Sequence, residues 1–252
     1  MWEVEKPDNL AEQGAKRARK FPHKMPGAGS VVAAVHTLAG LRLATRLRPG
    51  DVDVVEIRAD ALAAELPAVE RAMKAIELPV LLTVRHPAEG GVGGLAVSER
   101  RRLYRRLLPH ASLMDLEVRS LGILADILAE ARSRNVGTVI STHFFRTTPT
   151  LAKMLNLQRQ AFRGGADVFK LAALTPTASA LARLLEFTEG KAPGPRAVMG
   201  MGTFGQVSRL ALARAGSVLN YGYLDQPNAP GQWEARELKR LVVAVMENTS
   251  PS

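Results

Sequence analysis

The 252-residue sequence contains no cysteine and no long apolar run. Without cysteine the chain can form neither a disulfide bond nor a thiolate metal site, and this composition fits a reducing cytoplasm. No stretch of about 18 apolar residues occurs, so we expect no membrane-spanning helix. The N-terminus also lacks the apolar segment of a secretory signal. We therefore expect a cytoplasmic protein without a membrane partner.

Acidic residues are too few to balance the basic ones, which leaves a formal net charge of +10. A basic surface favours anionic partners, either nucleic acid or small acidic metabolites. The densest basic run lies in Glu99–Leu108, in which leucines recur at helical spacing. This spacing predicts a helix whose arginines lie on the opposite, solvated face. No nucleic-acid-binding signature accompanies the run, so we expect no nucleic-acid partner.

The composition divides the chain into two parts. Residues 1–29 carry clustered lysines and arginines without an apolar period, which predicts a partly ordered basic arm. Residues 30–248 alternate short apolar runs with amphipathic helical segments, which is typical of a parallel sheet covered by helices. The predicted strands are Val31–His36, Val52–Arg58, Val80–Arg85, Ser112–Val118, Gly137–His143, Asp167–Ala172, Arg196–Gly200 and Ser217–Tyr221. Eight such units predict a (β/α)8 TIM barrel, an α/β fold with a single domain.

An open doubly wound sheet is the alternative fold. It is disfavoured because no glycine-rich dinucleotide fingerprint follows the first predicted strand, where the sequence reads His36-Thr37-Leu38-Ala39-Gly40. A barrel places its active site at the C-terminal ends of its strands. The ionisable residues at those ends are therefore the candidates for function.

The second and third predicted strands end in charged residues. Glu56 and Arg58 share one face of the second strand, where they are expected to form a polar pair that binds hydroxyl groups. A buried structural ion pair is the alternative. Arg85 closes the third strand and suits a hydroxyl- or carboxylate-bearing ligand, and Glu89 follows in a glycine-rich loop.

A histidine and a lysine lie near the ends of the fifth and sixth predicted strands. His143 is either a hydrogen-bonded core residue or a general base, since its ordinary pKa lies near neutrality. Lys170 interrupts an apolar run, where an ammonium group is costly to bury. It either extends to the barrel rim or serves as an amine nucleophile whose pKa is lowered by burial. The presence of His143 on the neighbouring strand five favours the second alternative, in which Lys170 attacks a carbonyl group. The acids of strand four, Asp115 and Glu117, are more typical of a supporting role.

Two loops near the C-terminus predict an anion site. The segment from Met201 to Arg209 combines glycines, which free backbone N–H groups, with an arginine that can bind a carboxylate through two hydrogen bonds. The segment from Gln226 to Gln232 is rich in turn residues and suits a lid. An ordinary turn and a solvated loop are the respective alternatives.

Six motifs in order resemble the type I 3-dehydroquinate dehydratases, the Schiff-base enzymes of the shikimate pathway. They are Glu56-x-Arg58-x-Asp60, Arg85-x-x-x-Glu89-Gly90-Gly91, Ser141-x-His143-x-Phe145 with Thr148-Pro149, Gly165-Ala166-Asp167-x-x-Lys170, the run from Met201 to Arg209, and Ala229-Pro230-Gly231-Gln232. The resemblance covers roughly residues 30–245. It implies an enzyme of the hydro-lyase class that acts on 3-dehydroquinate, a small-molecule partner, with no metal and no organic cofactor. Members are commonly homodimers.

The resemblance implies roles for individual residues. Lys170 would form the imine with the C3 ketone, His143 would move the protons, and Glu89 would orient His143. The implied substrate-binding residues are Glu56, Arg58, Arg85, Met201, Arg209, Asn228 and Gln232. The sequence departs from the family pattern at Asn228, where serine or threonine is usual, at Tyr221, where phenylalanine is usual, and in the basic arm.

Two other functions remain open at the level of sequence. One is a different lysine-dependent class I aldolase or lyase that shares the barrel. The other is a non-catalytic protein that binds quinate-like acids or, through its basic surface, nucleic acid. The full set of charged residues at the strand ends favours the dehydratase over both.

Overall fold

Strands and helices alternate along residues 27–247, the part of the chain that this computed structural model describes. The strands are β1 (Val31–Val35), β2 (Val54–Arg58), β3 (Val80–Thr83), β4 (Leu113–Glu117), β5 (Gly137–Phe144), β6 (Val168–Leu174), β7 (Arg196–Met201) and β8 (Asn220–Tyr223). The helices are α1 (Leu38–Ala44), α2 (Leu66–Ala75), α3 (Val97–Leu107), α4 (Ala125–Ser133), α5 (Leu151–Arg163), α6 (Ala178–Glu189), α7 (Gly205–Arg214) and α8 (Ala235–Glu247).

All strands are parallel, and each pairs with its neighbour in chain order from β1 to β7, while β8 pairs with β1. β7 and β8 are therefore the two ends of the ladder. A backbone hydrogen bond of 2.8 Å from Val218 N–H to Arg196 C=O joins them just before β8 begins. The sheet consequently curls into a nearly closed eight-stranded barrel, as the sequence predicts, and the open-sheet alternative is excluded.

Side-chain alternation divides the apolar residues into two cores. On β1, Val31, Ala33 and Val35 face the helices, whereas Val32 faces the barrel interior. The outer core fills the space between sheet and helices. The inner core is a plug near the N-terminal ends of the strands. Because this end of the barrel is filled by apolar side chains, polar groups have room only towards the C-terminal ends.

Each predicted strand is present, with ends shifted by up to three residues. β3 ends at Thr83, so Arg85 lies just beyond the strand, and β6 continues past its predicted end to Leu174. The predicted basic arm, residues 1–29, lies outside the described residues except for its last three. No helix within residues 27–247 is long and apolar enough to span a bilayer.

The prediction that the arginines of α3 face solvent is wrong for Arg100. Its side chain is fully buried, and its guanidinium donates to Glu117 Oε2 at 2.6 Å, to Ser120 Oγ and to the Val84 carbonyl. Arg101, by contrast, is partly exposed and pairs with Asp126. Arg100 is drawn inward because a buried carboxylate on β4 requires a cation nearby.

Candidate active site

The polar groups of the site form one layer above the apolar plug. The inward residues of the lower layer are Val32, Val54, Leu81, Leu113, Val139, Val168, Ala197 and Leu219. Two positions further along each strand come Ala34, Glu56, Thr83, Asp115, Ser141, Lys170, Met199 and Tyr221, all of them buried. Side chains on a strand point to the same face at every second position. The apolar residues of the lower layer are therefore followed by a second, mostly polar layer, which forms the floor of a cavity. This floor lies at the C-terminal end of the barrel.

Lys170 lies in the middle of this floor and is 3% exposed. Its Nζ lies 3.0 Å from Asp115 Oδ2 and 3.5 Å from Glu56 Oε1. The ring of Tyr221 covers one side of the amine, with its centroid 4.0 Å from Nζ. Lys170 therefore does not extend to the rim. Two carboxylates and an aromatic face fix the position of the amine inside the cavity.

Asp115 is a member of the site, although the sequence pattern predicts only a supporting role for it. It contacts Lys170 directly, and its Oδ1 also accepts hydrogen bonds from Arg85 Nη1 at 2.7 Å and from Ser141 Oγ at 2.6 Å. The neighbouring cations Arg85 and Lys170 outweigh burial and hold the pKa of Asp115 well below its usual range. Asp115 is therefore a permanent anion beside the lysine. The signal for it in the sequence is its inward position on β4.

Arg85 crosslinks three strands from its position after β3. Besides Asp115 and Ser141, its Nη1 donates to Glu117 Oε1 at 3.1 Å. Glu117 also accepts from Arg100, so an alternating chain of cations and carboxylates extends from the cavity to helix α3. Such a buried network holds its members rigidly because breaking any pair leaves an uncompensated charge.

His143 lies on β5, one strand away from Lys170, and is oriented by Glu89. Glu89 Oε2 accepts two hydrogen bonds from this residue, one from the backbone N–H at 3.0 Å and one from ring Nδ1 at 2.9 Å. Arg119 Nε donates to the other carboxylate oxygen at 2.9 Å. With Nδ1 bound to Glu89, Nε2 is the ring nitrogen that makes no hydrogen bond to the described residues, and it is available to a ligand.

The electrostatics suit His143 for proton transfer. Burial, with the nearby cations Arg85 and Lys170, holds the pKa of His143 well below its usual value. The imidazole is therefore neutral near pH 7 and can accept a proton. Burial and the neighbouring Glu117 carboxylate raise the pKa of Glu89 to about 7, against the effect of Arg85 and Arg119. A carboxylate and an imidazole so coupled titrate as a pair.

The expected pair between Glu56 and Arg58 is not formed, although both side chains line the cavity. Arg58 instead binds Asp60 through two hydrogen bonds of 2.9 and 2.7 Å and donates to the Gly90 carbonyl. Glu56 accepts from Thr83 Oγ1 at 2.8 Å. The shared face was predicted correctly, but the partners were not, because Arg58 finds a partner just beyond the end of β2 and Glu56 finds one on β3.

Arg209 enters the site from helix α7 and is 1% exposed. Its guanidinium donates to four backbone carbonyls, with Nε bound to Tyr221 O and Nη1 to Gly200 O, Gly205 O and Gly231 O, at 2.7 to 3.0 Å. Burial lowers its pKa to about 10, so the group remains a cation near neutrality. No carboxylate lies within ion-pair distance of it in residues 27–247, and Nη2 makes no hydrogen bond there.

The loop after β8 closes one side of the cavity. Gln232 Oε1 accepts from the backbone N–H groups of Asn228 at 2.8 Å and Ala229 at 3.2 Å, which fixes the turn. Gly202 N–H donates to Pro230 C=O, so this loop packs on the loop that follows β7. Gln232 is 9% exposed and lines the cavity together with Asn228.

The predicted site residues therefore converge on one cavity. Its lining contains each of them, namely Glu56, Arg58, Arg85, Glu89, His143, Lys170, Met201, Arg209, Asn228 and Gln232. Met199 and Tyr221 also line it, and both follow from the every-second-residue pattern on their strands. Within residues 27–247 no three histidine, aspartate or glutamate side chains are grouped so that they could hold a metal ion.

A buried lysine beside carboxylates, a neutral histidine and an arginine without an anionic partner can bind a carboxylate-bearing ketone and form an imine with it. Comparison with known proteins points the same way. Residues 31–248 match the model of the family described as type I 3-dehydroquinase.

The 3-dehydroquinate dehydratase of Methanocella arvoryzae is 35% identical over 187 residues, which cover 74% of this chain and 84% of that protein. The enzyme of the same name from Methanothrix thermoacetophila is 33% identical over 204 residues, or 78% of this chain and 84% of the relative. Among solved structures, the 3-dehydroquinate dehydratase of Geobacillus kaustophilus superposes with a TM-score of 0.80 at 26% identity, covering 91% of this chain and 95% of that one.

Proposed function

Because this chain belongs to the type I 3-dehydroquinase family, we propose that it dehydrates 3-dehydroquinate to 3-dehydroshikimate through a Schiff base on Lys170. The activity is that of a hydro-lyase, and the substrate is a small molecule. One observation carries the assignment of the nucleophile. Lys170 Nζ is buried at the centre of the cavity, between Asp115 and the ring of Tyr221.

Imine formation begins with the loss of a proton from the Lys170 ammonium. Asp115 and Glu56 hold the nitrogen in place, and His143 is the neutral base that can accept the proton. The amine then attacks the C3 carbonyl carbon. The C3 oxygen leaves as water, taking one proton from the attacking nitrogen and one from His143, which becomes neutral again. The resulting iminium is a cation at the position of the former ammonium, so the same two carboxylates stabilise it.

The iminium acidifies the neighbouring C2 proton because it accepts the electrons of the broken C–H bond. His143 Nε2 removes that proton, which gives an enamine. The enamine electrons then expel the C1 hydroxyl, which takes the proton back from His143 and departs as water. A single base acts on both groups, so they leave from the same face of the ring, in a syn elimination. Hydrolysis of the imine frees Lys170.

The remaining charged groups bind the substrate. Arg209 and Gln232 would hold the carboxylate, since Nη2 of the arginine makes no hydrogen bond to the described residues and the amide nitrogen of the glutamine is not used by the loop. Glu56, Arg58 and Arg85 would bind the ring hydroxyls, and Met201 would pack on the ring. Asn228 lies next to Gln232 at the rim of the cavity and would contact the substrate from the loop.

The proposal is tested by trapping the imine. The protein is treated with borohydride in the presence of 3-dehydroquinate, and mass spectrometry locates the adduct. We expect one adduct on Lys170, and none in Lys170→Ala. Lys74→Ala, at an exposed lysine of α2, is the matched control and should keep both the adduct and full activity.

His143→Ala separates binding from proton transfer. It should still form the adduct but lose turnover, which is followed by the ultraviolet absorbance of the enone product. An unmodified Lys170 in the wild-type protein, or full turnover in His143→Ala, would contradict the assigned roles.

Three further features belong to the proposal. The dehydratase domain would be residues 30–248, with residues 1–29 outside it, which the break in composition supports. The enzyme would be a homodimer, as is common in the family, and light scattering on the purified protein tests this. It would act in the cytoplasm, which the absence of cysteine supports, and cell fractionation tests that location.

A further inference from the structure

Tyr221 belongs to the floor of the cavity, and its ring covers Lys170, but its hydroxyl group has no part in the mechanism described above. It lies on β8, with its ring 4% exposed and directed into the barrel. It lines the same cavity as Lys170 and Arg209. Its backbone carbonyl accepts from Arg209, so its position is fixed relative to the arginine that would bind the carboxylate.

The hydroxyl group of Tyr221 is buried and finds no hydrogen-bond partner among the described residues. Buried hydroxyls are nearly always bonded, because a group that has lost its water and gained no partner destabilises the fold. The ring alone would fill this space and cover Lys170 equally well. Among the described residues the hydroxyl therefore adds no stabilising contact to those that the ring makes.

The hydroxyl remains a hydrogen-bond donor at all relevant pH values. Burial, together with the carboxylates of Glu56 and Asp115, raises the pKa of Tyr221 well above its usual value. A neutral phenol carries one O–H donor and can also accept. It is therefore suited to an oxygen atom of a ligand.

The position of the ring decides which ligand atoms it can meet. Lys170 Nζ lies 4.0 Å from the ring centroid, so a carbon bonded to Nζ is held beside Tyr221. A cyclic acid attached there carries its hydroxyl and carboxylate oxygens within a few ångströms of that carbon. The phenol oxygen belongs to the ring that covers Nζ, and Arg209 lines the same cavity.

We propose that Tyr221 is a further substrate-contacting residue, whose hydroxyl donates a hydrogen bond to an oxygen of the cyclic acid bound in this cavity. The inference deepens the proposed function and rests on it for the identity of that acid. It assigns to Tyr221 a part in substrate affinity and selectivity, beyond packing.

The test compares Tyr221→Phe with Tyr223→Phe, which makes the same chemical change on the same strand outside the lining of the cavity. Quinate is the probe for binding, because it has no ketone and cannot form an imine. We expect Tyr221→Phe to bind quinate about tenfold more weakly, as befits one hydrogen bond to a polar or charged oxygen. Tyr223→Phe should bind it like the wild type.

Thermal unfolding provides a second readout. Since the hydroxyl is unpartnered in the free protein, Tyr221→Phe should unfold at a higher temperature than the wild type without ligand, and quinate should raise its Tm by less. A purely structural hydroxyl would give the opposite result, a lower Tm. That result, or equal quinate affinity in the two proteins, would overturn the inference.

The borohydride adduct distinguishes this inference from the proposed function. Tyr221→Phe should keep the adduct on Lys170, because the ring remains over the amine. If the wild type forms no adduct, the Schiff-base function fails. A tenfold loss of quinate affinity in Tyr221→Phe would still establish the contact.

Discussion

Replacing Glu89 with glutamine tests the electrostatics of the proton-transfer pair through stability. Burial raises the pKa of Glu89 to about 7, against 4.5 for the free side chain. The folded protein therefore holds the Glu89 proton more tightly than the unfolded chain does. Its contribution to stability is fully present below pH 4.5 and is lost as the pH rises through 7. The difference between these two pKa values corresponds to about 3 kcal/mol.

Glutamine removes this dependence but keeps the shape of the side chain. Its oxygen can accept from the backbone and ring nitrogens of His143, and its NH2 group would face Arg119, which is half-exposed and can turn into solvent. We expect Glu89→Gln to gain stability relative to the wild type by about 2–3 kcal/mol between pH 5 and pH 8.

The assay is urea unfolding at pH 5, 6, 7 and 8, followed by circular dichroism for both proteins. Glu186→Gln, at an exposed glutamate of α6, is the control for removing one carboxylate from the surface. The free energy of unfolding of Glu89→Gln minus that of the wild type should rise with pH. If this difference stays constant over the range, or falls as the pH rises, the reasoning is refuted. The variant should also lose turnover while keeping the adduct on Lys170, since the glutamine no longer stabilises a protonated His143.

Three further substitutions test the structural roles. Arg100→Leu should lower the free energy of unfolding by about 3–5 kcal/mol because it leaves Glu117 buried without one of its partners, whereas Arg101→Leu should cost less than about 1 kcal/mol; urea titration measures both. Arg209→Lys should raise KM about 10- to 100-fold, the loss of one or two charge-assisted hydrogen bonds of about 1.5–3 kcal/mol, as steady-state kinetics will show. Gln232→Ala should free the loop after β8, which limited proteolysis detects, and raise KM about tenfold; an unchanged cleavage pattern would argue against its role.

Much of the fold could be predicted from the sequence because the barrel depends on local patterns. Apolar runs that alternate with amphipathic segments define the strands, and their number and order leave few topologies. The strand order also predicts that Lys170 and His143 lie on adjacent strands, because consecutive strands of such a barrel are neighbours. Strand ends were less well predicted, because they depend on where ladder hydrogen bonds stop.

The partners of the charged residues were harder to predict, since they depend on contacts distant in sequence. The leucine spacing predicts a solvated face for Arg100, yet residues 100, 103, 104 and 107 lie on one side of α3 and are all buried. The spacing contained the answer, but an arginine at such a position is expected to be exposed unless a buried carboxylate is known to lie opposite. Glu117, its partner, is 17 residues away.

The charges in the barrel explain why it should bind an anion at one place. Lys170, Arg85 and Arg100 each lie within 3.0 Å of a buried carboxylate, and the first two share Asp115. Arg209 is as deeply buried but has only carbonyl dipoles around it among the described residues. A buried guanidinium without a carboxylate is held at a cost in free energy that a bound anion would remove. Arg209 therefore lacks an anionic partner among the described residues, on the side where the carboxylate of 3-dehydroquinate would lie while its ketone reaches Lys170. The substrate itself would complete the charge balance of the site.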